Sequence, residues 1–286
     1  MDEKKYFKAE IYGMCGGVHA ALKTLQGLVD SQGRGVYVFN ELVHNHSVTA
    51  AFVEQGVTFT DCIDDIPCGS TLVIGAHGVA PDVEAALRAR AGICHDATCP
   101  LVKKLHHIAG ELTAGDELII FGKADHPEVK GVAGHSHAGR FFCISSPEEA
   151  AALPELVRPV FISQTTVDHS DVNKALEILR KRFPALRHSS GICNASETRQ
   201  NAVMKLAPAV DTVLVIGSDH SSNARRLREI AERCGCRAFL VDNAAAITAE
   251  MLQSQRIGIT SGASTPQYLF DQVVEFLKDS GFIAGE

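Results

Sequence analysis

The sequence predicts an α/β protein, and three observations carry that expectation. Short apolar runs rich in β-branched residues recur along the chain, each run ends in small or polar residues, and amphipathic stretches of helical length separate them. Runs that are apolar at nearly every position suit strands buried on both faces, as in parallel sheets covered by helices. With 286 residues, 45% of them apolar and 21% charged, the chain can bury a substantial core in one large or two to three small domains.

In chain order, the first helical stretch follows Cys15 in GMCGGVHAALKTL, with strands expected from Val36 in VYVFNELVHN and from Thr71 in TLVIGAHGVA. The second follows Cys99 in DATCPLVKKLHHI, with strands from Glu117 in ELIIFGKADHPEV and Val160 in PVFISQTTVD. The third follows Cys193 in GICNASETRQNAVMKL, with strands from Thr212 in TVLVIGSDHSSN and Ile257 in IGITSGASTP. Each unit reads cysteine, helix, strand with a polar tip, intervening helix, strand with a polar tip. The spacing from cysteine to first strand is nearly the same in all three copies, and so is the longer spacing to the second. Three such copies, with no Pro/Gly/Ser-rich linker, predict three modules at residues 1–97, 98–191 and 192–286 around a common centre. Ligands of open parallel sheets lie beyond the carboxyl ends of the strands, so a pseudo-threefold arrangement would gather three cysteines and six strand tips.

Composition narrows the partners. A net charge of −7 argues against nucleic acid or an anionic membrane surface, which are bound through clustered Lys and Arg. No apolar stretch approaches the roughly 18 residues of a membrane span, and MDEKKYFKAEIYGMC lacks a secretory layout, so a cytoplasmic location is expected. Nine cysteines, an odd number without the dense spacing of a disulfide scaffold, are expected to be reduced thiols.

A single cysteine at a helix start is more often a packing residue than a ligand. Three in equivalent positions favour a shared soft-metal centre: an iron–sulfur cluster, zinc or copper(I). Structural zinc would want a fourth ligand, and no CxxC pair is present. A four-iron cluster held by Cys15, Cys99 and Cys193 would leave one iron open to a substrate oxygen. Cys62, Cys68, Cys94, Cys143, Cys234 and Cys236 have no equivalent setting and are expected to be structural or incidental.

The strand tips carry groups suited to an oxyanion: His44, His77, His126, Ser221, Ser222, Asn223 and Ser264. With neither a GxxxxGK loop nor a GxGxxG fingerprint, a phosphate or diphosphate would be held by imidazoles, hydroxyls, an amide and helix N-termini. Glu128, two residues after His126 and fixed by Pro127, is placed to act as a general acid toward a departing hydroxyl, with Thr165 or Thr166 as a relay.

GMCGGV, LVHN, AHGV, DATCP, HPEVKG, QTT, ICNASETRQ, GSDHSSN and TSGAS occur in an order and spacing that resemble the 4-hydroxy-3-methylbut-2-enyl diphosphate reductase (LytB) family over nearly the whole chain. The resemblance implies a trefoil of three α/β modules around one [4Fe-4S] cluster, with Cys15, Cys99 and Cys193 as ligands and an open fourth iron. It implies that His44, His77, His126, Ser221, Ser222, Asn223 and Ser264 bind the diphosphate, that Thr165 lies near the substrate hydroxyl, and that Glu128 donates the proton. It further implies reductive dehydroxylation of an allylic diphosphate, the last step of the methylerythritol phosphate route, with electrons from a ferredoxin or flavodoxin. Met14, Gly16, His19, Ala20, Lys123 and Asp125 depart from the usual family motifs. A diverged paralogue acting on another allylic substrate, a non-catalytic iron–sulfur sensor of a diphosphate metabolite, and an α/β binding protein with incidental cysteines are the rival readings. Retention of the pocket motifs speaks against the first, and Glu128 against the second.

Overall fold

A computed structural model describes residues 3–189 and 191–285. The elements in chain order begin with β1 (Lys5–Lys8), α1 (Gly16–Gln32), β2 (Val36–Phe39), α2 (His46–Glu54), β3 (Thr58–Thr60), β4 (Thr71–Ile74), α3 (Pro81–Arg90) and β5 (Ile93–Asp96). Next come α4 (Pro100–Gly110), β6 (Glu117–Phe121), α5 (Pro127–His135), β7 (Arg140–Ile144), α6 (Pro147–Ala152), β8 (Pro159–Ser163), α7 (His169–Arg182) and β9 (Arg187–Ser189). The last are α8 (Asn194–Leu206), β10 (Thr212–Ile216), α9 (Ser222–Arg233), β11 (Arg237–Val241), β12 (Arg256–Ser261), α10 (Gln267–Asp279) and β13 (Ile283–Ala284).

The strands form three sheets, ordered β3-β2-β4-β5, β7-β6-β8-β9 and β11-β10-β12-β1-β13. Their pairings are parallel throughout. β2, β4, β6 and β10 begin at the residues expected from the sequence, and β8 and β12 one residue earlier. The fold is therefore α/β with parallel sheets. The other strands are short or open with a charged residue, and most lie at sheet edges, where one-sided burial does not require an unbroken apolar run.

For Cys99 and Cys193, the strand before the cysteine belongs to the sheet completed before it. β5 leads to Cys99 and pairs with β4, and β9 leads to Cys193 and pairs with β8. β1 leads to Cys15 and pairs with β12, so the N-terminal strand takes, in the third sheet, the place that β5 and β9 hold in theirs. We propose that the sequence repeat runs 1–97, 98–191 and 192–286, with β1 supplying the strand that the last copy lacks.

Contacts group the chain into two compact units: Met1–His19, Val43–Ala51 and Asn194–Glu286 in one, Ala20–Leu42 and Phe52–Cys193 in the other. In the first unit, alternation along β10 sends Val213 and Val215 toward Val203, Leu206, Leu227 and Ile230 of α8 and α9, and Leu214 and Ile216 toward Phe270, Val273 and Leu277 of α10. In the second, Leu118 and Ile120 of β6 face Leu105, Val129 and Val132 of α4 and α5, while Ile119 and Phe121 face Val172, Leu176 and Leu179 of α7. Leu72 and Ile74 of β4 pack with Phe39 and Leu87.

The amino end of the β6 sheet is held by charge. Glu117 binds Arg140 at 2.8 Å, and Asp116, buried, binds Arg158 at 3.1 Å and also Arg187. The Thr113 N–H and hydroxyl donate to the same Asp116 carboxylate at 2.8 and 2.9 Å. The Thr113 N–H foremost, with its hydroxyl and the two arginines adding to it, holds the Asp116 carboxyl below the usual carboxylate range against the opposing effect of burial. A depressed folded-state value contributes stability that is complete above the unfolded value, about 3.9, and is lost as pH falls through the folded value. Asp116→Asn is expected to lower the melting temperature by several degrees at pH 7, with the gap to wild type closing below about pH 4. Thermal melts across that range by circular dichroism check this, and a gap independent of pH would remove the charge cluster from the account.

Candidate active site

Cys15, Cys99 and Cys193 are partly exposed and in no disulfide, each immediately before a helix: α1, α4 and α8. At such positions the first-turn N–H groups lack intrahelical acceptors and favour an anion. The Val18 N–H donates to Cys15 Sγ at 3.4 Å. Two of the three are pinned to strand tips through the backbone, Cys15 N–H donating to Ala263 O beyond β12 and Cys99 N–H to Ala76 O beyond β4, both at 3.0 Å. Parallel sheets thus bring helix starts to strand ends, and the cysteines fall at that junction.

The other cysteines differ. Cys94 lies in β5 and Cys143 in β7, and burial pushes both thiols up. Cys236 is buried, its S–H directed at Ala207 O at 3.0 Å, and burial raises it as well. Cys62, Cys68 and Cys234 are exposed.

In the second unit, β6 and β8 deliver a carboxyl site. His126 caps α5, its Nδ1 accepting the Glu128 N–H at 3.2 Å. With Nδ1 used as an acceptor, the neutral ring carries its proton on Nε2 and can donate there. Glu128 is only 1% exposed, and its carboxylate accepts the Thr165 N–H at 2.7 Å and the Thr165 hydroxyl at 2.8 Å. Thr166 turns elsewhere, accepting from Gln164 Nε2 at 3.1 Å, so of the two threonines it is Thr165 that joins Glu128. The His77 ring meets His126 edge-on with centroids 5.5 Å apart. Gly122 lets the end of β6 sit close against Gln164 and Val129, since a Cβ there would stand 2.9 Å from side-chain atoms of both.

In the first unit, the tips of β10 and β12 carry hydroxyls and an amide. Ser221 caps α9, its Oγ accepting the Ala224 N–H at 3.3 Å, which leaves its O–H as a donor. Ser222 Oγ is buried with no hydrogen-bond partner, the kind of orphan that a ligand satisfies. Asn223 Oδ1 accepts the Ala263 N–H at 2.9 Å, and Ser264 donates to His44 O at 2.9 Å. Gly217 lets the first turn of α9 sit against the end of β10, because a Cβ there would meet Ala224 Cβ at 2.9 Å. These donors, the open N–H groups of α9 and the half-buried His44 suit an anion without any lysine.

Two residues outside the sequence-based set emerge. Gln164, buried, braces the loop after β6 by accepting the Lys123 N–H at 3.1 Å. Arg199, 4% exposed, donates to Gly13 O and to Ala195 O, both at 2.6 Å, and so fixes the backbone two residues before Cys15. Its signal in the sequence is periodicity: Ser196, Arg199, Val203 and Leu206 form the buried stripe of α8.

Comparison with known proteins gives a uniform result. The LytB protein family model matches residues 7–278. A protein of Methylococcus capsulatus named 4-hydroxy-3-methylbut-2-enyl diphosphate reductase is 40% identical over 278 residues, covering 94% of this chain and 88% of its own. One of the same name from Bordetella pertussis is 40% identical over 283 residues, covering 96% and 86%. Among solved structures, the E-1-hydroxy-2-methyl-but-2-enyl-4-diphosphate reductase of Plasmodium falciparum aligns with a TM-score of 0.92 at 26% identity, covering 99% of this chain and 92% of that one. A second, an (E)-4-hydroxy-3-methyl-but-2-enyl diphosphate reductase described as the terminal enzyme of the non-mevalonate pathway, aligns at 0.67 and 28% identity, covering 96% and 99%. Matched along almost its whole length by the family model and by these relatives, the chain belongs to the LytB protein family.

Proposed function

We propose that this chain is an iron–sulfur oxidoreductase that converts 4-hydroxy-3-methylbut-2-enyl diphosphate to isopentenyl and dimethylallyl diphosphate, the last step of the methylerythritol phosphate route. The observation that carries the chemistry is the buried Glu128–Thr165 pair beside His126. The balance is one allylic alcohol, two electrons and two protons giving one alkene and one water. The C–O bond breaks, one proton lets the oxygen leave as water, and the two electrons with the second proton form the new C–H bond on the allylic carbon skeleton.

Family membership implies an iron–sulfur cofactor. The chain offers fitting donors, because the three cysteine side chains at helix starts are the soft, charge-tolerant ligands such a group needs. We assign one [4Fe-4S] cluster to Cys15, Cys99 and Cys193, with the fourth iron lacking a protein ligand. Bound there, the cluster supplies the electrons and Lewis acidity toward the departing oxygen.

The protein's own groups do the rest. Protonated Glu128 would donate its Oε2–H to Thr165 Oγ1, freeing the threonine proton for the leaving hydroxyl; after transfer, the carboxylate accepts the Thr165 N–H and O–H as observed. Burial of the pair keeps bulk water from competing for that proton. His126 Nε2–H, His44, His77, Ser221, Ser222, Asn223 and Ser264 are assigned to the diphosphate, with Ser222 Oγ gaining a partner it otherwise lacks. Ser264 would exchange its bond to His44 O for one to the ligand. Electrons would come from a small redox protein such as a ferredoxin or flavodoxin, in a reducing, cytoplasmic setting suited to nine cysteines that form no disulfide. No helix among the described residues is long and apolar enough to cross a membrane.

The direct test is anaerobic oxidation of reduced methyl viologen by cluster-loaded protein; dependence on 4-hydroxy-3-methylbut-2-enyl diphosphate is expected, and an intact cluster with no such oxidation would refute the substrate. Glu128→Gln retains the shape and one donor–acceptor pair with Thr165, so substrate binding should persist while kcat drops at least about a hundredfold. Turnover close to wild type would take Glu128 out of the mechanism. Thr165→Val should likewise depress kcat more than Thr166→Val, and equal losses would deny the relay. Cluster content read from iron, sulfide and visible absorption should collapse in Cys15→Ser, Cys99→Ser or Cys193→Ser and hold in Cys94→Ser; full content in Cys99→Ser would overturn the ligand set.

A further inference from the structure

Four side chains that the reductase chemistry does not use meet in the first unit. His46 opens α2, Asp219 and His220 lie in the loop between β10 and α9, and Asp242 follows β11. One donor atom from each of His46, Asp219 and His220 lies within 4.8 Å of the others. His46 Nδ1 is 3.5 Å from Asp242 Oδ2, and His220 Nε2 is 3.6 Å from Asp219 Oδ1. The two imidazoles stand edge to face with centroids 4.9 Å apart, and Ser218 Oγ lies 3.5 Å from His46 Nδ1.

These separations have a chemical meaning. Metal–ligand bonds of about 2.1 Å in a tetrahedron put neighbouring ligand atoms about 3.4 Å apart. Two nitrogen–oxygen pairs are already near that spacing, and the side chains are 41–74% exposed and can turn at the surface; Asp242, placed beside His46, would have to swing furthest to join the other three. Two imidazoles with two carboxylates suit a borderline divalent ion such as zinc better than calcium or magnesium, which prefer all-oxygen shells. Two carboxylates also neutralise the ion's charge. Simple ion pairing explains less, since it would leave the two imidazoles facing one another and repelling when protonated.

We propose that His46, Asp219, His220 and Asp242 form a surface site for a divalent transition-metal ion, with zinc the best fit. An ion there ties the start of α2 to the loop preceding α9 and to the end of β11. It thereby fixes the backbone adjoining Ser221 and, two residues from His46, His44. The site shares no residue with the cysteines assigned to the cluster, and its existence does not depend on the reductase reading.

The test uses anaerobically prepared, cluster-loaded protein freed of loosely bound metal, dialysed against graded Zn2+, with zinc and iron counted by elemental analysis. One zinc per chain beyond the cluster iron is expected in wild type. His46→Ala and His220→Ala should each weaken that zinc at least about tenfold with iron content unchanged. Because thiols also take zinc, the double variant His46→Ala/His220→Ala decides: stoichiometric zinc bound as tightly as in wild type would overturn the site, as would a wild-type protein that retains none. Unchanged iron and an unchanged far-UV spectrum in the variants exclude misfolding as the cause of a loss.

Discussion

Parallel pairing is the constraint on which the rest depends. Parallel neighbours require a crossover, usually a helix, between successive strands, so strand ends and helix starts gather at the same edge of each sheet. Polar tips and unsatisfied N–H groups therefore arrive together. The Cys15 and Cys99 backbones are tied to strand tips, Glu128 is tied to the tip of β8 through Thr165, and Ser221 to Asn223 stand where α9 begins. A net-negative chain can attract anions at such edges because local dipoles, rather than its overall charge, set the field there.

The two ends of the β6 sheet divide the labour. At the amino end, Asp116 and Glu117 with Arg140, Arg158 and Arg187 hold strands in register through contacts that no ligand needs to disturb. At the carboxyl end, polar groups are buried but adaptable. Thr165 can donate or accept, and His126 Nδ1 accepts the Glu128 N–H. Rigid charge pairing at one end supports exchangeable hydrogen bonds at the other.

Much of this was legible in the residues. The six strands buried on both faces announced themselves as apolar runs and began within one residue of expectation, because no alternative placement hides so many β-branched side chains. β7 and β11, each opening with an arginine at a sheet edge, and the short β3 and β9 carry too little pattern to read. His126 and Glu128 could be read because Pro127 restricts the backbone between them. The choice between Thr165 and Thr166 could not, since adjacent residues differ only in the direction each side chain takes. His46 and Asp242 lie far apart in sequence, and only the fold of the first unit makes them neighbours.

The placement of β1 has a consequence for how the protein is made. Lys5–Lys8 pairs with Arg256–Ile259, so β1 is synthesised well before the strand it pairs with. The two sheets built from residues 36–189 have every strand they need before β10 to β13 are made. The third does not, and its closure carries the loop entropy of nearly the whole chain, softened only by the slow logarithmic growth of that cost. Until β12 is made, the segment leading to Cys15 is a strand without its sheet neighbours, open to chaperones and to mispairing. A chain cut short before β12 would carry the first cysteine yet have no sheet in which to seat the strand that leads to it.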